Sequence, residues 1–376
     1  MLVCPSCTFS RAAHGTMTTP PHCAPARPNF PPASIAQPCL PVGYTGGRWQ
    51  WPPAASGPAR SPAVPAPTME SFWIDKLDAD ELLIIDGGTG SELQRRGVAM
   101  DANAWSGAAA LGHEALLRDI HRDYIRAGAE VITANTFGTT RFVLASAGLD
   151  HEFERINRRA MRAARKAREY AAAGPVAIAG SLSCLPPGND PAAYPEARVE
   201  LDAYRELAEL LASEGADLIA LEMMEDTVHA RMAMTAAVES GLPVWLGVST
   251  RLSEAGDRLV GFDFPDTLLA DPLEALIPMQ PAVVNVMHTP PEAVGRSLAE
   301  VQRVWDGHCG VYPELGDFEA PDWQFTQQLT PGEFVSLAWG WVRQGARLLG
   351  GCCGTLPEHI LALKQAEQEL LAARQA

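Results

Sequence analysis

Two adjacent cysteines near the carboxyl end, Cys352 and Cys353, are the residues of this sequence best suited to chemistry. They stand in the run Gly350-Gly351-Cys352-Cys353-Gly354-Thr355. A thiolate is both a metal ligand and a nucleophile. Successive residues of a regular strand point to opposite faces, so both sulfurs can meet one ion only where the backbone leaves strand geometry. The flanking glycines permit that departure. A helix is expected just beyond, and its positive end would help to hold the sulfurs as thiolates. Two small buried residues at a strand-to-helix junction are the plain alternative. The glycines on both sides favour metal ligation.

Such a pair needs a scaffold, and the sequence supplies one. Eight short apolar runs are expected to be strands: Leu83 to Asp86, Glu130 to Ala134, Val176 to Gly180, Asp217 to Leu221, Val244 to Val248, Ala282 to Met287, Cys309 to Tyr312 and Arg347 to Gly350. They are apolar throughout rather than alternating, which marks strands buried on both faces of a parallel sheet. Amphipathic segments separate them, among them His113 to Ala127, Glu152 to Ala171, Val199 to Ala212 and Val228 to Glu239. Thr289, Thr330 and Thr355 each precede a Glu by three residues, the spacing of a capping box at a helix start. Eight alternations predict a (β/α)₈ TIM barrel of the α/β class. No G-x-G-x-x-G follows the first strand, which disfavours an open dinucleotide-binding sheet.

Barrel chemistry sits where strands end and βα loops begin. The predicted ends present Asp86, Asn135 and Thr136, Ser181 and Ser183, Glu222, Ser249 and Thr250, Asn285 and His288, Tyr312 and Glu314, and the thiol pair. The ring is polar and holds carboxylates as well as thiols.

At these positions the sequence resembles the homocysteine S-methyltransferase family of zinc barrels. The likeness runs from about Leu83 to about Ile360. It rests on Asp86-Gly87-Gly88-Thr89-Gly90-Ser91-Glu92-Leu93, Thr133-Ala134-Asn135-Thr136-Phe137, Glu222, Tyr312-Pro313 with Trp323, and above all Gly350 to Thr355 followed by Pro357-Glu358-His359-Ile360. The resemblance implies an S-methyltransferase that moves a methyl group from a small donor to the sulfur of homocysteine or a related thiol, giving methionine. It implies Zn²⁺ on Cys352 and Cys353, with Asp86 and Glu222 receiving the substrate amino group. Gly87 and Gly88 would offer backbone donors to the substrate carboxylate, and Thr136 and Asn285 are expected at the substrate as well. S-methylmethionine or S-adenosylmethionine would suit a barrel acting alone; a corrinoid partner protein and a homo-oligomer stay open.

One departure bears on the metal. The resemblance implies a Cys ligand directly after the Asn of strand six, and this chain has Val286 after Asn285. Alternation predicts that position 288 points the way position 286 does, one step nearer the mouth, so His288 is a candidate third ligand of a Cys₂His site, the plain alternative being a histidine that lines the pocket or contacts substrate. His308 begins strand seven, at the opposite end, and is set aside. Glu314 stands where the family usually has Asn, adding a negative charge that either favours a cationic donor or only faces solvent. Met223 and Met224 are expected in the core, and Cys184 is expected to be a bystander. Two rival readings remain: a non-catalytic barrel of the same family binding thiol or metal, and a barrel lyase or hydrolase using Asp86 and Glu222 as acid and base.

Bulk properties bound these readings. Residues 1–68 hold four Arg, no Lys, no acid and close to half of the 31 prolines, so a boundary is expected near Met69. The segment lacks apolar periodicity and reads as a disordered, translated leader, with residues 69–376 as the single folded barrel. Cys4 and Cys7 have C-x-x-C spacing without a second pair, a chance match. Formal charge is −16, and since the leader carries +4, the remainder carries −20. That opposes nucleic-acid binding. No apolar run reaches the ~18 residues of a membrane span. Four cysteines after Met69, two of them adjacent, suit a reduced, cytoplasmic protein.

Overall fold

A computed structural model describes residues 72–326 and 329–372. Residues 1–68, with Cys4 and Cys7, lie outside the described residues, as does the expectation of a disordered leader there.

Eight parallel strands form one sheet: β1 (Leu83–Ile84), β2 (Val131–Ala134), β3 (Ala177–Ser183), β4 (Leu218–Glu222), β5 (Val244–Val248), β6 (Val283–Met287), β7 (His308–Tyr312) and β8 (Leu348–Leu349). Each pairs with its chain neighbours, and β8 pairs with β1 through Leu83 opposite Leu348. A bridge between Ile85 and Val131 closes the ring, with the Asp86 N–H donating to Val131 (3.0 Å) and the Glu130 N–H to Ile84 (2.7 Å). This is the expected (β/α)₈ barrel, its strands falling on the eight apolar runs.

The interior follows from side-chain size. Inward residues include Leu83, Ile85, Val131, Ala177, Ala179, Leu218, Trp245, Val283 and Leu348, so small alanines make room for one large indole. A helix unforeseen in the sequence, Phe72–Asp78, packs Phe72, Trp73 and Leu77 into the same cluster. Trp73 meets Trp245 edge to face at 5.3 Å. Lys76 of this helix bridges Glu130 (2.6 Å) and Glu367 (3.0 Å), tying it to β2 and to the last helix. The N-terminal end of the barrel is thereby filled, leaving the opposite end for a pocket.

The expected helices form as Ala109–Ala127, Phe153–Ala171, Ala197–Ser213 and His229–Glu239. Of the three capping boxes, the one at Thr330 is realised, its hydroxyl accepting from the Glu333 N–H while the Glu333 carboxylate accepts in return. Thr289 instead spends its hydroxyl on the Met287 carbonyl and the Thr250 N–H. At the last helix His359 takes the capping role: its Nδ1 accepts from the Leu356 N–H at 3.0 Å and its Nε2 donates to the Leu329 carbonyl at 2.8 Å. The Thr355 hydroxyl is left buried without a partner.

Candidate active site

β1 and β8 are two residues long, glycines come directly after β8 and, beyond Ile85 and Asp86, after β1, and the released backbone makes the site. The turn 350–355 is held on both sides. Toward the β1 loop, the Gly351 N–H donates to the Asp86 carbonyl (3.1 Å), and the Gly88 N–H and Tyr124 hydroxyl donate to the Thr355 carbonyl (3.1 and 2.8 Å). Toward the β7 loop, the Cys352 N–H donates to Pro313 (2.8 Å) and the Leu315 N–H to Cys353 (2.7 Å). Gly354 has φ +77°, and a Cβ there would run into the Leu315 carbonyl, so glycine is required.

This turn brings the two sulfurs to 4.0 Å from each other, and His288 Nδ1 lies 3.4 Å from the Cys352 sulfur. Ligand atoms of His288, Cys352 and Cys353 all fall within 4.8 Å of one another. Tetrahedral zinc, with bonds of ~2.3 Å to sulfur and ~2.0 Å to nitrogen, needs S···S near ~3.8 Å and S···N near ~3.5 Å. The donor set fits. Its electrostatics ask for a cation too. The adjacent Cys353 sulfur and burial push the Cys352 thiol well above its ordinary pKa. Burial is the largest single influence on His288 and opposes its protonation, but the field and hydrogen bond of the Cys352 sulfur together with the charges of Glu314 and Asp263 outweigh it and raise the imidazole to about 9.

His288 arrives by a route that alternation does not describe. Val283 and Met287 belong to the inward-facing cluster, and Val286 belongs neither to it nor to the pocket. Strict alternation would turn His288 away with Val286. Its backbone leaves the strand instead, at φ +43°, in the left-handed region. The strained conformation is fixed from both sides: the His288 N–H donates to Tyr312 (3.1 Å) and its carbonyl accepts from the Ser249 hydroxyl (2.9 Å). Trp105 and Met223, also at positive φ, line the same pocket.

Above the three donors opens a pocket lined by Asp86, Gly87, Gly88, Glu222, Asp263 and several aromatic rings, without Lys or Arg. Asp86 accepts from the Thr133 N–H (2.7 Å) and hydroxyl (3.0 Å). Burial raises its carboxyl to about 8, against those hydrogen bonds and with the Glu222 charge adding to the rise. Glu222 accepts from Ser181 and is pushed by burial to about 7. Phe262 and Trp323 stand edge to face with the His288 ring at 4.7 and 5.8 Å. Trp323 is carried by a short hairpin, 317–324, whose backbone the Gln94 amide grips from both sides (2.7 and 2.9 Å).

The other expected residues take these places. Thr136 is fully buried outside the pocket lining, its hydroxyl donating to the Ser181 carbonyl at 2.7 Å. Asn285 is buried outside that lining too, with both amide atoms unpartnered. The Gly88 N–H is committed to Thr355. Met223 packs in the core and also faces the pocket. Cys184 contacts Met223 and Asp226 and lies outside the group of metal donors. His308 pairs with Asp78 (2.8 Å). Sequence reasoning missed Trp105, Ser106, Phe262 and Asp263. The adjacent aromatic and acid in the loop after β5 were the available signal for the last two.

Fold and site together define a (β/α)₈ barrel with a Cys₂His donor set at the C-terminal mouth, beneath an acidic, aromatic pocket. Residues 83–366 match the profile of the homocysteine S-methyltransferase family, and the chain belongs to that family. It is 28% identical over 317 residues to homocysteine S-methyltransferase 2 of Zea mays, covering 77% of this chain and 91% of that protein. It is also 28% identical over 316 residues to selenocysteine methyltransferase of Astragalus bisulcatus, covering 75% and 91%. Among solved structures it is similar to the metallated form of the homocysteine methyltransferase MmuM from Escherichia coli: TM-score 0.63, 25% identity, 79% of this chain and 99% of that one. No described helix is long and apolar enough to cross a membrane.

Proposed function

We propose that this chain transfers a methyl group from a small cationic donor to the sulfur of homocysteine, giving methionine, with zinc held by Cys352, Cys353 and His288. The observation that carries the reading is the convergence of those three donors under a pocket walled by two buried carboxylates. Bound Zn²⁺ supplies the positive charge that keeps a substrate thiol, ordinarily protonated at neutral pH, in its nucleophilic form.

The chain's own residues do the rest. Asp86 and Glu222 receive the substrate ammonium, which favours their charged forms and offsets the cost of burying them. The open strand ends at Gly87 and Gly88 leave room for the amino-acid backbone. Phe262, Trp323 and Asp263 present aromatic and negative surface to the donor, which suits a sulfonium. The substrate sulfur forms its bond to the methyl carbon, the electron pair of the broken bond returns to the donor as a neutral thioether, and the thiol proton passes to solvent. Holding the two sulfurs and the methyl group in line is the protein's main task.

The test pairs metal content with turnover. Purified wild-type protein is expected to hold zinc and to methylate homocysteine. The Cys352→Ser, Cys353→Ser double variant is expected to lose both, activity falling at least ~10³-fold. Undiminished turnover in that variant would move the chemistry to the carboxylates and overturn the reading.

A further inference from the structure

One buried carboxylate beside the metal donors has no part in the chemistry above. Glu314 is 6% exposed, and its Oε2 has no hydrogen-bond partner. Its backbone is stitched among the segments that carry the donors. The Glu314 N–H approaches the carbonyl of Thr289, next to His288, at 3.4 Å, while the flanking Pro313 and Leu315 hold Cys352 and Cys353. Its backbone therefore joins the segment that carries the imidazole to the turn that carries the thiols, while the residue itself lies outside the donor group. Among carboxylates, its field acts most strongly on His288, ahead of Asp263.

Charge and hydrogen bonding give such a group a task. Two thiolates and a neutral imidazole around a divalent cation sum to zero, yet the cation still polarises the imidazole that ligates it. Its second nitrogen then becomes a stronger donor and needs an acceptor, for which a carboxylate is the usual choice. The rings nearest His288, Phe262 and Trp323, turn their edges or faces to it and offer no such oxygen.

Building on the zinc reading above, we propose that Glu314 is the positioning residue of His288, a countercharge and acceptor that holds the imidazole in its ligating orientation. The test is zinc affinity of the full chain, measured by competition with a chromophoric chelator, for wild type, E314Q, H288A and the double variant. Melting of the metal-free proteins is followed in parallel. E314Q is expected to weaken zinc binding by about 10- to 100-fold, to add nothing in the H288A background, and to leave metal-free melting unchanged. Full affinity in E314Q, with affinity lost in H288A, overturns this inference and leaves the metal reading standing. An equal loss from E314Q in the H288A background overturns it as well, as does a matching fall in metal-free melting. H288A that binds zinc like wild type overturns the ligand assignment itself, and the role of Glu314 with it.

Discussion

Glu222 ends β4 with its carboxyl buried and raised to about 7 from an ordinary 4.5, burial outweighing the Ser181 hydrogen bond and the field of His288. The unfolded chain releases this proton near pH 4.5 and the folded protein releases it near 7. Between those values the native state binds more protons, so stability falls as pH rises through the window, and the full cost is present above it. Glu222→Gln removes the cost. The variant is expected to melt with wild type near pH 4.5 and above it by pH 8, the gap approaching on the order of 3 kcal/mol. Its KM for the thiol amino acid is expected to rise. Melting curves across pH decide the matter, and a gap that does not change with pH sinks the argument. At this scale the sequence was partly legible. Asp86 and the cysteines stand where their motifs put them, because glycines mark the turns, and Glu222 stands where its apolar run ends. His288 was found by alternation although its side chain reaches the thiols through a left-handed backbone that alternation does not contain. Thr136 lies outside the pocket lining, and Asn285, which shares the inward parity of Val283 and Met287, sits deeper in the barrel than the pocket, differences that polarity alone does not reveal.

Whole elements were read more faithfully than their ends. A strand buried on both faces needs an unbroken apolar run, so the eight runs located β1 to β8. The helix Phe72–Asp78 escaped because seven residues are too few to display a period. Helix starts were misread where a threonine found better partners. Thr355 fits the spacing of a capping box, yet its hydroxyl is buried and unpaired while His359 caps the helix. Thr330→Ala is therefore expected to cost about 1 kcal/mol, the worth of a working N-cap. Thr355→Val, which replaces an unsatisfied hydroxyl by a methyl of similar shape, is expected to be neutral or slightly stabilising. Chemical denaturation of both variants checks this, and a loss at Thr355 equal to that at Thr330 would restore the capping role to Thr355.

At the scale of the molecule, charge and pocket act in the same direction. The chain carries a net −16, and the pocket at the barrel mouth has Asp86, Glu222 and Asp263 in its wall with no Lys or Arg to offset them. A low-dielectric cleft lined by one sign of charge concentrates ligands of the other sign. Glu225 and Glu314 lie buried within electrostatic reach of His288, and since burial raises their carboxyls to about 8 and about 7, they add to the negative field only as pH rises through that range. The two substrates feel this field differently, since a homocysteine zwitterion has no net charge and a sulfonium donor is cationic. Salt separates them, because the Debye length falls from about 30 Å at 0.01 M to about 3 Å at 1 M. Raising ionic strength across that range is expected to raise KM for a sulfonium donor several-fold while KM for homocysteine and kcat stay nearly constant, since contacts made inside the pocket are screened far less than the approach to it. Initial-rate measurements with each substrate varied in turn supply the comparison. Equal salt dependence for both substrates would mean that the acidic wall serves the thiol substrate alone and that donor choice rests on shape and aromatic contact.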